Sequence, residues 1–360
     1  MSVHLIPAEE AMARLDQFDA VLDARSEGEY ALDHLPRAEC WPSLNDEERV
    51  RVGTLYKQVS PFEAQKIGAA LVAQNIARHI QTRLMDTPKN WQPLIYCWRG
   101  GKRSHSLALI LGQIGFKVHL IEGGYKAFRR ALVDDLPLRV ARLQFRVLCG
   151  PTGVGKTRLL QALAAQGAQV LDLEALASHR SSVLGLIPGQ PQPSQKAFET
   201  LLWDQLRRFD PQRPIYVEAE SRKVGNLIVP EALMNTIRDS ACHRLDMALP
   251  QRVQLLLEDY AYFAEQPQLF MERLERLVDL KGRAVVDAWL EMIRQGQMAQ
   301  VVAELLEKHY DPGYENSTRR NFAQYGQAPV LKLPDPGAQA MQHAAAQLMD
   351  LAWPAGRVGP

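Results

Sequence analysis

The chain has 360 residues, of which 46% are apolar and 23% charged, and its formal net charge at pH 7 is +1. This length exceeds what one hydrophobic core normally supports, so two domains are expected. The near-neutral charge excludes a protein that coats nucleic acid through global basicity, although a local basic face could still bind a folded RNA. No run of roughly 20 apolar residues suggests a membrane span and no signal-peptide pattern is present, so we expect a cytoplasmic protein without a membrane partner.

Short apolar runs alternate with helical patterns in the first part of the chain. The runs cover residues 20–23, 94–97 and 117–121, and a mostly helical stretch from about Asp46 to Met85 separates the first two. Runs that are apolar throughout are typical of buried strands in a parallel sheet. We therefore predict an α/β domain over residues 1–137.

A second α/β pattern begins near Arg142. The predicted strands are 145–149, 168–172 and 214–218, and a glycine-rich turn joins the first strand to a helix over 158–166. After Pro230 the pattern is helical almost to the end, with amphipathic segments over 251–263, 284–294 and 298–309. Residues 138–360 are thus predicted to form a P-loop-type α/β domain with a helical C-terminal extension.

A basic, glycine-rich loop follows strand 94–97 and opens a predicted helix from Ser104 to Ile114. Its backbone N–H groups and the helix dipole converge on one point, where they hold an anion and favour a thiolate. We predict that Cys97 is a nucleophile and that its anion loop comprises Arg99, Gly100, Gly101, Lys102, Arg103 and Ser104. The other cysteines, Cys40, Cys149 and Cys242, form no C-x-x-C pair, so we interpret them as buried apolar residues and expect neither a disulfide framework nor structural zinc.

Residues 150–157 fit the motif G-x-x-x-x-G-K-[ST], placed between a predicted strand and a predicted helix. In such a loop successive N–H groups point at phosphate oxygens, the lysine adds positive charge and the hydroxyl can reach a magnesium ion. The predicted diphosphate-binding residues are Gly150, Thr152, Gly153, Gly155, Lys156 and Thr157. No tightly bound cofactor is expected.

Acidic residues near the ends of neighbouring predicted strands are candidates to hold a metal ion. They are Asp172 and Glu174 after one strand, and Glu218 and Glu220 at the end of another. In typical P-loop nucleotidases the metal-binding acid is an aspartate that follows four aliphatic residues, and neither pair has this pattern. The sequence therefore leaves the metal unknown, with magnesium as one option. His179, Arg180 and Arg222 are candidate helpers near the P-loop, and a structural polar role is equally consistent with each.

Four segments resemble the ordered signatures of a rhodanese domain: 22–30, 34–38, the loop 97–104 and 121–125. Rhodaneses carry sulfur as a persulfide on the loop cysteine, so the resemblance gives that role to Cys97 and a structural role to Asp23 and Arg25. The loop departs from the sulfurtransferase pattern because five residues, rather than four, separate Cys97 from Arg103. This Cys-x5-Arg spacing is that of rhodanese-related phosphatases, and it also suits a larger donor.

A rhodanese-like segment followed by a P-loop segment, with residues 172–174, 179–180 and 218–222 downstream, resembles the tRNA 2-selenouridine synthase family. The resemblance covers nearly the whole chain. It implies an enzyme that converts wobble 2-thiouridine in tRNA to 2-selenouridine with selenophosphate, through an S-geranyl intermediate made from geranyl diphosphate. The implied partners are tRNA and these two small anionic donors.

Other functions stay open on the residues alone. A rhodanese-type sulfurtransferase fused to a nucleotide-binding domain would explain Cys97 and leave the P-loop unused. A Cys-x5-Arg phosphatase would explain the loop spacing but not the fused P-loop. A nucleotide or RNA kinase would explain Lys156 but not Cys97, and a non-catalytic binding module would need neither reactive residue.

Overall fold

The computed structural model describes residues 3–180 and 189–351. The strands are β1 Val3–Ile6, β2 Ala20–Asp23, β3 Ala38–Cys40, β4 Pro93–Tyr96, β5 Val118–Ile121, β6 Phe145–Cys149, β7 Gln169–Leu171, β8 Ile215–Glu218, β9 Lys223–Val224, β10 Leu227–Ile228, β11 Ala241–Asp246 and β12 Val330–Lys332.

The helices of the described residues are α1 Ala8–Ala13, α2 Glu27–Leu32, α3 Asp46–Gln58, α4 Pro61–Arg83, α5 Lys102–Ile114, α6 Gly124–Val140, α7 Lys156–Ala165, α8 Leu173–Leu176, α9 Gln195–Leu206, α10 Glu231–Asp239, α11 Leu249–Asp259, α12 Ala261–Glu265, α13 Pro267–Glu275, α14 Val278–Lys281, α15 Arg283–Arg294, α16 Met298–Leu305, α17 Asp311–Asn321 and α18 Ala338–Asp350. A π-helical turn, Leu306–Tyr310, joins α16 to α17. None of these helices is both long and apolar enough to cross a membrane.

The chain forms two compact units, Met1–Leu138 with Pro193–Asp204, and Arg139–Gln192 with Gln205–Pro360. The sequence-based division after residue 137 places 193–204 in the second domain, whereas its contacts group it with the first. Those contacts are polar and half-buried or buried: Thr200 Oγ1 donates a hydrogen bond to the Asp33 carboxylate at 3.1 Å, and Glu199 pairs with Arg129. A segment that follows the P-loop in sequence therefore completes the unit that carries Cys97.

The first unit contains a parallel sheet in the order β1-β5-β4-β2-β3. Its central strands are buried along their length, which explains why the apolar runs at β2, β4 and β5 could be recognised. The predicted helical stretch 46–85 is two helices, α3 and α4. Asn45 caps the first through the Glu48 N–H, and Ser60 caps the second just before Pro61.

The second unit contains a parallel sheet in the order β12-β11-β6-β8-β7, with β6 at the centre. The α/β fold predicted for both units is confirmed. One correction concerns β11, which pairs with β6 within a region predicted to be helical. His243 and Arg244 are polar and interrupt β11, so it lacks the continuous apolar run by which the other strands could be recognised.

The C-terminal helices α11 to α16 share an apolar core of their own. Phe263, Phe270 and Trp289 are almost fully buried in it, and Leu274 and Val301 pack beside them. The strongly amphipathic pattern of these segments is accounted for by this core. Of these helices, α11 also forms part of the wall of the P-loop cavity, through Leu255, Leu256 and Asp259.

Candidate active sites

Cys97 lies directly after β4, and its side chain is buried, with 2% of its surface exposed. Its Sγ accepts a hydrogen bond from the Gly101 backbone N–H at 3.2 Å and one from the Ser104 hydroxyl at 3.0 Å. The first helical residue of α5 is Lys102, so the sulfur lies at a helix N-terminus. Donors from two directions therefore stabilise negative charge on this atom.

Two glycines after β5 close tightly over the Cys97 loop. Gly124 has φ +58°, and a Cβ there would lie 2.2 Å from the Cys97 carbonyl oxygen. That same carbonyl accepts a hydrogen bond from the Tyr125 N–H at 2.8 Å. Gly100, with φ +65°, lies against the backbone of Gly123, so glycine is required on both sides of the approach. The backbone of the loop is thus fixed from outside.

The basic residues of the loop have different environments. The Arg103 guanidinium pairs with the Glu29 carboxylate at 2.7 Å, while Arg99 and Lys102 are exposed. Burial acts to raise the pKa of Glu29, but the hydrogen bond and charge of Arg103 outweigh it, and the pKa is lowered. Arg103 therefore anchors the loop to α2, and Arg99 and Lys102 are the cations available to an incoming anion.

Asp23 and Arg25 form a fully buried pair beneath the loop, at 2.6 Å. Arg25 also donates to the Asp33 carbonyl at 2.6 Å, and its guanidinium lies 4.0 Å from the centre of the Tyr125 ring. Asp23 accepts a hydrogen bond from the hydroxyl of Tyr96, the residue before Cys97, at 2.7 Å. These contacts agree with the predicted structural role of the pair, because it ties β4, which ends just before Cys97, to the segment that closes over the loop.

The P-loop of the second unit lines an open cavity of about 530 Å³. Gly153 and Gly155 have φ of +78° and +87°, a conformation that favours glycine. The Lys156 ammonium donates to the Gly150 carbonyl at 2.9 Å, so it lies over the loop. Five of the six predicted phosphate-binding residues line the cavity: Thr152, Gly153, Gly155, Lys156 and Thr157. Gly150 lies outside that lining.

Two C-terminal residues hold the P-loop in place. The Tyr314 hydroxyl accepts a hydrogen bond from the Gly150 N–H at 2.5 Å, and burial raises the pKa of this phenol well above its usual range. Arg252 donates to the Thr152 carbonyl at 2.7 Å and pairs with Asp311 at 2.6 Å. Neither residue was recognised from the sequence, because each lies in an amphipathic helix with no motif and is distant from the P-loop along the chain.

Three of the four predicted acids come together beside the P-loop. Carboxylate oxygens of Glu174, Glu218 and Glu220 lie within 4.8 Å of one another, and Glu218 accepts a hydrogen bond from the Thr157 hydroxyl at 2.8 Å. Burial, followed by the charge of Glu174, raises the pKa of Glu218 well above its usual range. This all-oxygen set next to a phosphate cradle fits the ligand preference of Mg²⁺. Asp172 instead caps α8 by accepting from the Ala175 N–H at 2.8 Å.

The remaining predicted helpers separate into two groups. Arg180 lines the cavity, where its guanidinium lies 4.5 Å from the centre of the Tyr260 ring and donates to the Asp259 carbonyl at 2.8 Å. His179 is buried outside the cavity lining, and burial lowers its pKa. Arg222 is exposed and also outside the lining. The structure thus brings Arg180 alone of these three to the cavity.

An apolar pocket of about 40 Å³ branches from the P-loop cavity. The cavity and the pocket share Thr152, Leu256, Tyr260 and Tyr310 in their walls. Beyond these the pocket is lined almost wholly by apolar side chains: Leu257, Phe263, Phe270, Met298, Val302, Leu305 and Leu306. An anion-binding loop and an apolar branch therefore adjoin each other in one unit.

The fold and these two sites define a two-unit α/β protein with a rhodanese-type thiol loop and a P-loop phosphate cradle. Comparison with known families supports both parts. Residues 7–131 match the Rhodanese-like domain, and residues 143–274 match the tRNA 2-selenouridine synthase AAA domain.

Relatives aligned over two thirds or more of this chain identify the family. The chain is 36% identical to the tRNA 2-selenouridine synthase of Alcanivorax borkumensis over 304 residues, which are 79% of this chain and 80% of that protein. It is 33% identical to that of Aeromonas salmonicida over 86% of this chain and 90% of the relative. With the Marinobacter nauticus protein of the same name it shares 37% identity over 243 residues, which span 65% of that relative. The chain belongs to the tRNA 2-selenouridine synthase family, as predicted.

Proposed function

We propose that this protein replaces the sulfur of wobble 2-thiouridine in tRNA by selenium, with selenophosphate as donor and S-geranyl-2-thiouridine as intermediate. Membership of the family supports tRNA as the partner and selenium transfer as the reaction. The geranyl step rests on the chemistry of the sites in the second unit. We place the reaction in the cytoplasm.

The observation that carries the geranyl step is the apolar pocket beside the phosphate cradle. A prenyl diphosphate needs two adjoining environments, one for a multiply charged head and one for a hydrocarbon tail. The P-loop supplies the first. The pocket has room for about three water-sized groups, which suits the branched end of a geranyl chain. The rest of the chain would lie along Leu256 and Tyr260 in the main cavity.

The first step forms a bond between the thiouridine sulfur and C1 of the geranyl group, and the bonding electrons of C1–O leave with diphosphate. Negative charge therefore grows on the leaving group. Lys156 and the N-terminal N–H groups of α7 stabilise that charge, which is electrostatic catalysis by preorganised donors. A magnesium ion held by Glu174, Glu218 and Glu220 would add to this stabilisation when bound.

The second step belongs to the Cys97 loop. Alkylation converts the sulfur into a thiolate leaving group and makes the ring carbon more electrophilic, so a selenium nucleophile can add there and expel geranyl thiol. Selenophosphate is an anion that the loop N–H groups, Arg99 and Lys102 can hold, and Cys97 relays its selenium. The Cys97 thiolate bonds to phosphorus and the P–Se bond breaks, which frees selenide to add to the ring carbon. Water then hydrolyses the S–P bond and phosphate leaves, so the step needs no oxidant or reductant. Ser104 and Gly101 stabilise the sulfur in its anionic form through the bonds they donate.

The test is nucleoside mass spectrometry of a tRNA with wobble 2-thiouridine, after incubation of the protein with each donor alone and with both. Geranyl diphosphate alone should give S-geranyl-2-thiouridine, and addition of selenophosphate should convert this product to 2-selenouridine. If no mass change occurs while the Cys97 thiol still reacts with an alkylating reagent, the proposal fails. Thiosulfate would then test for a sulfurtransferase, aryl phosphates for a phosphatase, and ATP turnover for a kinase.

A further inference from the structure

The π-helical turn Leu306–Tyr310 interrupts the helical path between α16 and α17 at the wall of the P-loop cavity. Such turns are rare, and they occur mostly as single-turn interruptions that are frequent at functional sites. This one places two polar aromatic residues, His309 and Tyr310, in the cavity lining. Neither residue belongs to the phosphate-binding motif. Leu306 and Tyr310 of the turn also line the apolar pocket, which leaves His309 without an assigned role.

The His309 imidazole is chemically available in this position. The side chain is half-buried, and its ring packs edge-on against Tyr310 with 4.8 Å between centroids. Among the described residues neither ring nitrogen has a hydrogen-bond partner. Within the part of the chain that the structure describes, His309 is also the only histidine that lines this cavity. A base that accepts a proton from a bound substrate needs such an uncommitted nitrogen.

The charged neighbours of the turn favour a neutral imidazole. Burial, and then the positive charge of Lys281 at the end of α14, lowers the pKa of His309. The Lys281 ammonium donates to the Lys308 carbonyl at 2.7 Å, so it is fixed to the turn itself. The acids on the adjoining helices are already paired: Glu304 of α16 with Lys308, and Asp311 of α17 with Arg252.

Several other charged and titratable groups of the cavity have partners, whereas the Nε of Arg238, a cation that also lines the cavity, has none among the described residues. Arg180 donates to the Asp259 carbonyl and stacks on Tyr260. Asp259 accepts from Arg158 at 2.6 Å. The carboxylates Glu174, Glu218 and Glu220 are grouped beside Thr157 and the phosphate cradle, where a proton acceptor would compete with metal binding.

Alkylation of 2-thiouridine requires a proton acceptor. When the sulfur bonds to geranyl C1, the adjacent ring nitrogen loses its proton and becomes doubly bonded to the thiocarbonyl carbon. Diphosphate leaves with the electrons of the C1–O bond. We propose that His309 is the general base that takes this proton, and that it later releases it to solvent. This inference rests on the proposed geranyl step.

The experiment compares initial rates of S-geranyl-2-thiouridine formation by the wild type and His309→Gln, from about pH 6 to about pH 9, a range that brackets imidazole titration. A general base typically contributes 10²- to 10⁴-fold, so we expect a fall of at least about 100-fold near pH 7. The difference should shrink at the alkaline end, where hydroxide and ionisation of the thiouridine itself replace the base. His343→Gln, an exposed change on α18, is the matched control.

A second variant separates chemistry from folding. The rate of His309→Ala should be partly restored by added imidazole, which a structural defect would not allow. A wild-type rate and pH profile in His309→Gln would overturn the inference, and so would an equal loss at every pH without rescue by imidazole. If the wild type itself makes no S-geranyl product, the proposed function fails first and takes this inference with it.

Discussion

In the first unit the loop after β4 leads into α5, and in the second the loop after β6 leads into α7. Both loops follow a buried parallel strand, both are rich in glycine, and both end at the N-terminus of a helix. The two loops differ in what lies over them. The Cys97 loop is closed by Gly123 and Gly124, whereas the P-loop opens into a cavity of about 530 Å³.

The difference shows that the same strand–loop–helix arrangement can form either a closed or an open site. The closed loop presents a single buried sulfur atom at the N-terminus of α5. On the proposed function, the open loop would hold the diphosphate head of a larger donor, and residues of α11 and of the π-helical turn in the cavity wall would contact the remainder. On that proposal, the strand and glycine motif supply anion binding in both units, and the residues that cover each loop set the size of its substrate.

The largest single-residue effect short of removing a reactive group is expected from Gly124→Ala. The new Cβ would lie 2.2 Å from the Cys97 carbonyl oxygen, and φ there is +58°. The loop must therefore move, and we expect selenium transfer to fall by about 100-fold or more, since misplacement of a reacting group by about 1 Å can cost that much. S-geranylation should change little. Equal loss of both activities would show that the units do not act separately.

A smaller effect, confined to binding of geranyl diphosphate, is expected when the apolar pocket is filled. Val302→Phe would fill the pocket, so the KM for geranyl diphosphate should rise about tenfold, because each excluded CH₂ costs about 0.8 kcal/mol of transfer free energy. Inhibition by inorganic diphosphate, which needs the cradle alone, should stay the same. Val285→Phe on the exposed side of α15 controls for the added ring. Parallel weakening of both ligands would place the tail elsewhere.

Some of the features that these variants test could be predicted from the sequence, and others could not. The all-apolar strands, the Cys97 loop and the P-loop motif could be recognised because each depends on neighbours in the chain. The hydrogen bond from the Gly150 N–H to the Tyr314 hydroxyl could not be recognised from the sequence, since the two residues are 164 positions apart. His309 and Arg252 lie in amphipathic segments, whose periodicity predicts a packed face and says nothing about which polar residues line a cavity.

The helix α9 is a further example from the first unit. Its residue Thr200 follows the P-loop in sequence, yet it donates to Asp33 behind the Cys97 loop. No pattern in a helical segment reports the unit against which it packs. The two acidic pairs at strand ends were equally ambiguous, and only the fold shows that Glu174 joins Glu218 while Asp172 caps a helix.

The smallest expected effect concerns stability in acid. Burial, followed by the charge of Arg14, lowers the pKa of His119, whose ring nitrogens have no partner among the described residues. The unfolded chain then binds more protons than the folded one below about pH 6.5, so the free energy of unfolding falls as the pH decreases through that value. His119→Phe should reduce the difference between the thermal midpoints at neutral and acid pH. The exposed His343→Gln should not, and an unchanged difference in His119→Phe would remove this residue as the cause.

The central claim is that the two loops carry two separable steps, and a sequential assay with two variants tests it most directly. Cys97→Ala protein is first given the tRNA and geranyl diphosphate, and the purified product is then given to Lys156→Ala protein with selenophosphate. We predict S-geranyl-2-thiouridine after the first stage and 2-selenouridine after the second, although neither variant alone makes 2-selenouridine from both donors at the wild-type rate. Cys40→Ser and Lys332→Ala serve as controls. Failure of Cys97→Ala to geranylate, or of Lys156→Ala to selenate the geranylated tRNA, would contradict the account.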